Sequence, residues 1–251
     1  MQHLFLALTV NVAIISLAIA ALKFAGKVEV NPKWSLVSLA LLASYVLAVV
    51  SGGHVIPVEL VIPDPSWNWG GKILAIILLV AVLFATTRLK AGFTLADAGF
   101  VLKQKDGSTR PALIALGLFV LLQVLISLLD GGGAYDSEEL WFQALMPGLD
   151  EEPMFRGLLL YFSSLAITSA RTNVFGSPIN VAGAALAVLF GLGHGVAFDG
   201  QEWHFSPFNI LVTGLYGFFL LWFRERTGSL VFPILAHNIV NFAGRIVPAL
   251  G

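Results

Sequence analysis

The chain of 251 residues contains no cysteine, which excludes disulfides, thiolate metal sites and a cysteine nucleophile together. Charge is nearly as scarce. Charged residues make up 12% of the chain, 14 Lys and Arg against 15 Asp and Glu, for a net charge of −1; soluble domains carry roughly 25%. No basic stripe remains to follow a nucleic-acid backbone, so nucleic acid is set aside as a partner. What is abundant is apolar: 57% of the residues are hydrophobic, against roughly 45–50% in soluble domains. This is the composition of a protein whose solvent is the lipid bilayer.

A bilayer core of about 30 Å takes about 20 apolar residues of helix, fewer where the ends are polar. Eight segments qualify, approximately Leu4–Phe24, Ser35–Val50, Ile73–Thr87, Ala112–Leu129, Asp150–Thr168, Val181–Phe198, Phe208–Phe223 and Leu230–Ala249. Backbone groups in lipid must bond within their own segment, and the alternation of a β-barrel is absent. The expected fold is therefore all-α, a polytopic membrane protein of about eight transmembrane helices with a polar intramembrane cavity. It is expected as one integral membrane domain in two halves, residues 1–130 with the first four helices and 131–251 with the last four. The first segment lacks a positively charged leader region and is expected as a retained span.

Turn chemistry separates the spans: Gly52-Gly53 through Pro63-Asp64-Pro65 and Trp67-Asn68-Trp69, then Gly131-Gly132-Gly133, then Asp199-Gly200. Trp67 and Trp69 are expected at headgroup level, and the apolar-rich stretch Ser137–Met146 as an interfacial connector. Of the 14 Lys and Arg, 11 fall in or beside the loops joining spans one–two, three–four, five–six and seven–eight. The opposite side has only Lys72 and Arg245, so the positive-inside rule places both termini outside the cytoplasm.

Six polar side chains stand out against this background: Glu151, Glu152, Arg156, His194, His237 and Asn241. An ionisable group at the centre of a membrane helix costs roughly 2.5–3.5 kcal/mol on insertion scales and marks a functional site unless a partner explains it. Pro147-Gly148 is expected to break the preceding stretch, with Asp150 as N-cap, so that both glutamates begin a helix and benefit from its dipole. Glu152 and Arg156, at i and i+4, are spaced for an ion pair. Glu151 points about 100° away and is expected to be free to act as a base. The plainer reading of these carboxylates is a charged helix cap.

His194 sits in Phe190-Gly191-Leu192-Gly193-His194-Gly195. Phe190 and His194 share a helix face, and the glycines permit close approach of a second backbone or of a substrate. A packed histidine bonded to a carbonyl is the plainer alternative. His237 and Asn241 share one face of the last span and can aim donors at one point, as an oxyanion site requires. An interhelical hydrogen-bond pair is the competing explanation.

Taken together, Glu-Glu-x-x-x-Arg at Glu151–Arg156, Phe-x-x-x-His at Phe190–His194 and His-x-x-x-Asn at His237–Asn241 resemble the CPBP family. That family comprises CaaX endopeptidases and bacteriocin-processing and self-immunity proteins. The approach Gly228-Ser229-Leu230, Pro233-Ile234 and His237 also resembles its third motif. The likeness runs from Asp150 to about Arg245; the first four spans contribute only hydropathy.

The resemblance implies an intramembrane glutamate protease without cofactor or metal, acting on a peptide or a membrane-anchored protein. It implies that Glu151 and His194 activate water, that His237 and Asn241 stabilise the oxyanion, and that Glu152 and Arg156 orient the first glutamate. Two other readings stay open. Glu151, His194 and His237 are a possible set of zinc ligands, although the usual His-Glu-x-x-His helix is absent. A non-catalytic peptide-binding or immunity protein fits the same cavity. Neither the substrate nor an oligomeric state is encoded in any motif.

Overall fold

The structure, a computed structural model, describes residues 2–130 and 133–250. The expected turn at Gly131-Gly132 lies outside the described residues. The chain folds into helices α1 (Gln2–Phe24), α2 (Pro32–Val55), α3 (Trp69–Leu89), α4 (Thr109–Asp130), α5 (Ser137–Glu152), α6 (Leu160–Ala166), α7 (Val181–Gly195), α8 (Pro207–Thr227) and α9 (Val231–Leu250). A π-helical segment, Pro153–Leu159, joins α5 to α6 without a break, so the two form one rod and eight helical rods result. The protein is an all-α polytopic membrane protein.

Short polar caps start the helices. Asn31 accepts from the Trp34 amide with Pro32 at the first helical position; Asn68 does the same for Gly71 and Asn180 for Gly183. Each side chain satisfies an amide that has no partner in the first turn. Gly228, at φ +75°, ends α8 in the left-handed conformation that glycine adopts without strain. Three two-stranded antiparallel ribbons tie the loops. β1 (Val28–Val30) pairs with β2 (Ile167–Ser169), β3 (Thr172–Val174) with β4 (Ser177–Ile179), and β5 (Val196–Phe198) with β6 (Trp203–Phe205). Asp199-Gly200 is the turn of the last, as its turn residues imply.

Among the described residues, five helices are long and apolar enough to cross a membrane: α1, α2, α3, α4 and α8. The α5–α6 rod, α7 and α9 fall short of that measure, and these three carry the six predicted polar residues. α7 is apolar but only 15 residues long, and the first part of the rod carries Glu138, Glu139, Asp150, Glu151 and Glu152. Met154, Leu158 and Leu159 of the rod are buried in the main core with Leu41, Leu42 and Tyr45 of α2 and Ala75 and Leu79 of α3. The rod thus occupies the middle of the bundle.

Two expected boundaries move. Gly52-Gly53 lies inside α2, because Gly52 packs on the start of α3; a Cβ there would collide with the Gly70 carbonyl. The rod begins at Ser137, capped by the Asp136 carboxylate, so Asp150 is not an N-cap and the dipole argument for Glu151 and Glu152 fails. Pro147 sits within the helix. Its missing N–H and ring would normally stop the helix. Here the next amide, Gly148, turns out of the ladder and donates to Asn238 Oδ1 of α9 at 2.8 Å. The stretch 137–146 is accordingly the first part of a packed helix, with Leu140 and Phe142 buried; Trp67 meets the Phe142 ring at a tilt and Trp69 meets it edge-on.

Candidate active site

The continuity of the rod sets the depth of the site. Glu151 lies 14 residues after Ser137 and 15 before Ala166, about 20 Å of helix on either side. Around it, α3, α4, α7, α8 and α9 border an open cavity of about 390 Å³ whose lining includes Glu151, His194, His237 and Asn241. Lys72, Gln123, Gln143, Thr213 and Tyr216 add further polar groups to the wall. Four of the six predicted residues therefore meet in one space. Glu152 and Arg156 stand behind it.

Glu152 is fully buried, and its Oε1 receives both Arg156 Nη1 at 3.0 Å and His237 Nδ1 at 2.8 Å. The expected i, i+4 pair forms. The carboxylate orients His237, however, and makes no contact of its own with Glu151. Arg156 is fixed further by donation to the Gly217 carbonyl at 3.0 Å and by lying 4.5 Å over the Phe190 ring. The other face of that spacing is equally tight: Phe190 and His194 rings are 4.6 Å apart.

The histidine hydrogen bonds decide which ring nitrogens are available. His194 Nδ1 is 2.7 Å from the Phe190 carbonyl oxygen, which only accepts, so the proton is on Nδ1 and Nε2 carries the lone pair. His237 Nδ1 likewise donates to Glu152. For Nε2 of His237 to donate as well, the ring must be an imidazolium, whose charge Glu152 neutralises. Asn241 Nδ2 donates to Gln143 Oε1 at 3.0 Å, so its amide is oriented by α5.

Glu151 is not free. Lys72 Nζ stands 2.6 Å from Glu151 Oε1 and 3.0 Å from Asp150 Oδ1, and Tyr45 Oη donates to Asp150 Oδ2 at 2.8 Å. Sequence reasoning missed this chain of Tyr45, Asp150, Lys72 and Glu151. It counted Lys72 as a loop charge beside span three, because the residue falls in the first turn of a helix that was expected to start at Ile73. The site thus draws on both halves of the chain, and polar groups are not confined to the last four spans. A lysine among apolar residues at a helix start was the available signal.

Residues 137–243 match the family model described as Rce1-like, type II CAAX prenyl endopeptidase. This stretch is similar to a CAAX-endopeptidase domain. The match spans α5 to α9 and includes all six predicted residues, while Lys72 and Tyr45 lie outside it. The resemblance to the CPBP family stands over this stretch, and the long apolar helices make the protein a multi-pass membrane protein. No curated protein and no solved structure gives a significant match to the chain. Among the described residues, no three His, Asp or Glu side chains converge at metal-binding spacing.

Proposed function

We propose that the protein is an intramembrane endopeptidase that hydrolyses a peptide bond of a peptide or membrane-anchored substrate, CaaX-type prenylated tails included, with water activated by Glu151 and His194. The carrying observation is that Glu151, His194, His237 and Asn241 line one cavity between the helices of the bundle. Water there gives a proton to the Glu151 carboxylate, with His194 Nε2 as the second acceptor that orients it, and its oxygen attacks the carbonyl carbon. The developing oxyanion takes hydrogen bonds from His237 Nε2 and the Asn241 amide. As the intermediate collapses, Glu151 returns the proton to the leaving amine. General acid–base catalysis of this kind is worth about 10²–10⁴ in rate, and loss of one oxyanion donor about 10²–10³.

Each supporting group has its own task in this reading. Lys72 holds Glu151 in place and balances its charge, while Glu152 and Arg156 fix His237. The basic loop ends face the cytoplasm. The mid-depth position of Glu151 removes the conflict that a site at the basic-poor end would pose for cytoplasmic substrates.

The test is cleavage of internally quenched peptides, one of them a prenylated CaaX peptide, by purified protein and by Glu151→Gln, each with and without a chelator. Loss of cleavage in the variant together with indifference to the chelator is the expected result. Cleavage retained in Glu151→Gln would refute the glutamate mechanism. Chelator-sensitive cleavage would revive the zinc reading, and equal inactivity of both proteins would favour a peptide-binding or immunity role.

A further inference from the structure

The wall formed by Lys72, Glu151, Phe190 and His194 has a second face. Behind it, between α1, α2 and α7, lies an open cleft of about 260 Å³ that shares those four residues with the reaction cavity. The rest of its lining is apolar, with Leu8, Leu42, Val46 and Phe155 among the contributors. Two residues do not fit a cleft that merely holds lipid.

The first is Asn11, in a helix otherwise rich in leucine, isoleucine and alanine. Asn11 is 3% exposed, lines the cleft, and its side-chain oxygen has no hydrogen-bond partner. A buried amide without partners destabilises a folded protein, and more so where no water competes. Such a group stays when something outside the fold uses it.

The second is Gly193. Its two neighbours in the glycine-rich motif serve close helix packing: an added Cβ at Gly191 would collide with the Ile210 carbonyl, and one at Gly195 would stand 2.8 Å from the Ser206 carbonyl oxygen. A Cβ at Gly193 meets nothing within 4 Å, and Gly193 lines the cleft. Helix packing does not require glycine there. Space beside His194 does.

We infer that this cleft is a substrate subsite that receives an apolar side chain next to the scissile bond, with Asn11 hydrogen-bonding the substrate backbone and Gly193 leaving room for the side chain. The inference rests on the peptidase reading above. Its volume admits a leucine or phenylalanine side chain, and it disfavours a charged one, because most of its lining is apolar and the charges on its wall, Lys72 and Glu151, already neutralise each other. The occupant is a polypeptide segment, because a hydrocarbon chain has no use for an amide.

The experiment measures kcat and KM for internally quenched peptides in which the residues flanking the cut carry Ala, Leu, Phe or Asp in turn. Wild type is expected to favour Leu and Phe over Asp at one position. Gly193→Leu should lower kcat/KM for the Leu and Phe peptides roughly tenfold or more relative to the Ala peptide, the scale on which apolar pockets discriminate. Asn11→Leu should raise KM about tenfold at nearly unchanged kcat, and its melting temperature should equal or exceed that of wild type, since an unpaired buried amide is gone. Equal loss for all peptides in Gly193→Leu, or an Asn11→Leu protein that melts lower while cleaving normally, would overturn the subsite.

Peptide binding to Glu151→Gln, with and without Gly193→Leu, separates this inference from the reaction reading. Binding that loses its Leu and Phe preference on Gly193→Leu supports the subsite even if no cleavage is seen. Glutamate-dependent cleavage with no effect of Gly193→Leu on binding rejects the subsite alone.

Discussion

Replacing Lys72 by methionine keeps the length of the side chain and removes its charge. The wild-type ammonium, with 11% of its side chain exposed, sits 3.0 Å from a fully buried Asp150 oxygen and 2.6 Å from Glu151. The variant strands both carboxylates, while Arg156 and His237 are already committed to the third, Glu152. Removing one partner of a buried ion pair costs about 3–5 kcal/mol, because the other charge stays buried without compensation. At about 2–4 °C per kcal/mol for a chain of this size, the melting temperature should fall by roughly 6–20 °C.

The matched control is Lys72→Met with Asp150→Asn, which takes away one stranded charge while leaving an amide for Tyr45 Oη to bond. Groups that share a network couple by about 0.5–3 kcal/mol, so the double variant should melt higher than Lys72→Met alone. The assay is thermal unfolding of detergent-solubilised protein followed by tryptophan fluorescence, with peptide cleavage measured on the same samples. Lys72→Arg should retain more of both than Lys72→Met. A Lys72→Met protein that melts within a degree or two of wild type, or a double variant that is worse than the single one, would refute the reasoning.

Two further outcomes follow from the same geometry. Asn238→Ala removes the acceptor for the Gly148 amide at the Pro147 break and should destabilise the protein by about 1–3 kcal/mol, the cost of an unpaired buried donor; unchanged thermal unfolding would show that the amide finds another partner. Outside the membrane, His204 Nε2 pairs with Asp199 at 2.7 Å, and that hydrogen bond raises the imidazole above its ordinary 6.5. Because the folded value is the higher one, the stabilisation of the β5–β6 turn is complete below the unfolded value and is lost as pH rises through the folded one. Titration of His204 by NMR should show this upward shift in wild type and its disappearance in Asp199→Asn.

Composition and hydropathy alone fixed the all-α membrane class, because lipid offers the backbone no partner but its own helix. The three motifs, read in order, selected the residues that line the cavity, since a polar group in an apolar span has few reasons to be there. Spacing within one helix also held: Glu152 reaches Arg156 four residues on, and Phe190 reaches His194. These relations are local and follow from 3.6 residues per turn.

Relations between helices were decided only by the tertiary structure. The sequence placed a helix start at Asp150, where propensity favours one, but α9 offers Asn238 to the amide that Pro147 displaces, and the rod continues. It left Glu151 free and Lys72 in a loop, yet the close packing of Gly52 on Gly70 and Gly71 carries the start of α3 into the bundle and brings the ammonium onto the carboxylate. Of the three glycines around His194, the pattern permitted either close packing or open space at each; only the neighbouring helix distinguished Gly191 and Gly195 from Gly193. A single chain states which groups are too polar for lipid. Which partner each one meets depends on contacts between residues far apart in the chain, 105 positions for Tyr45 and Asp150, and no local pattern encodes those.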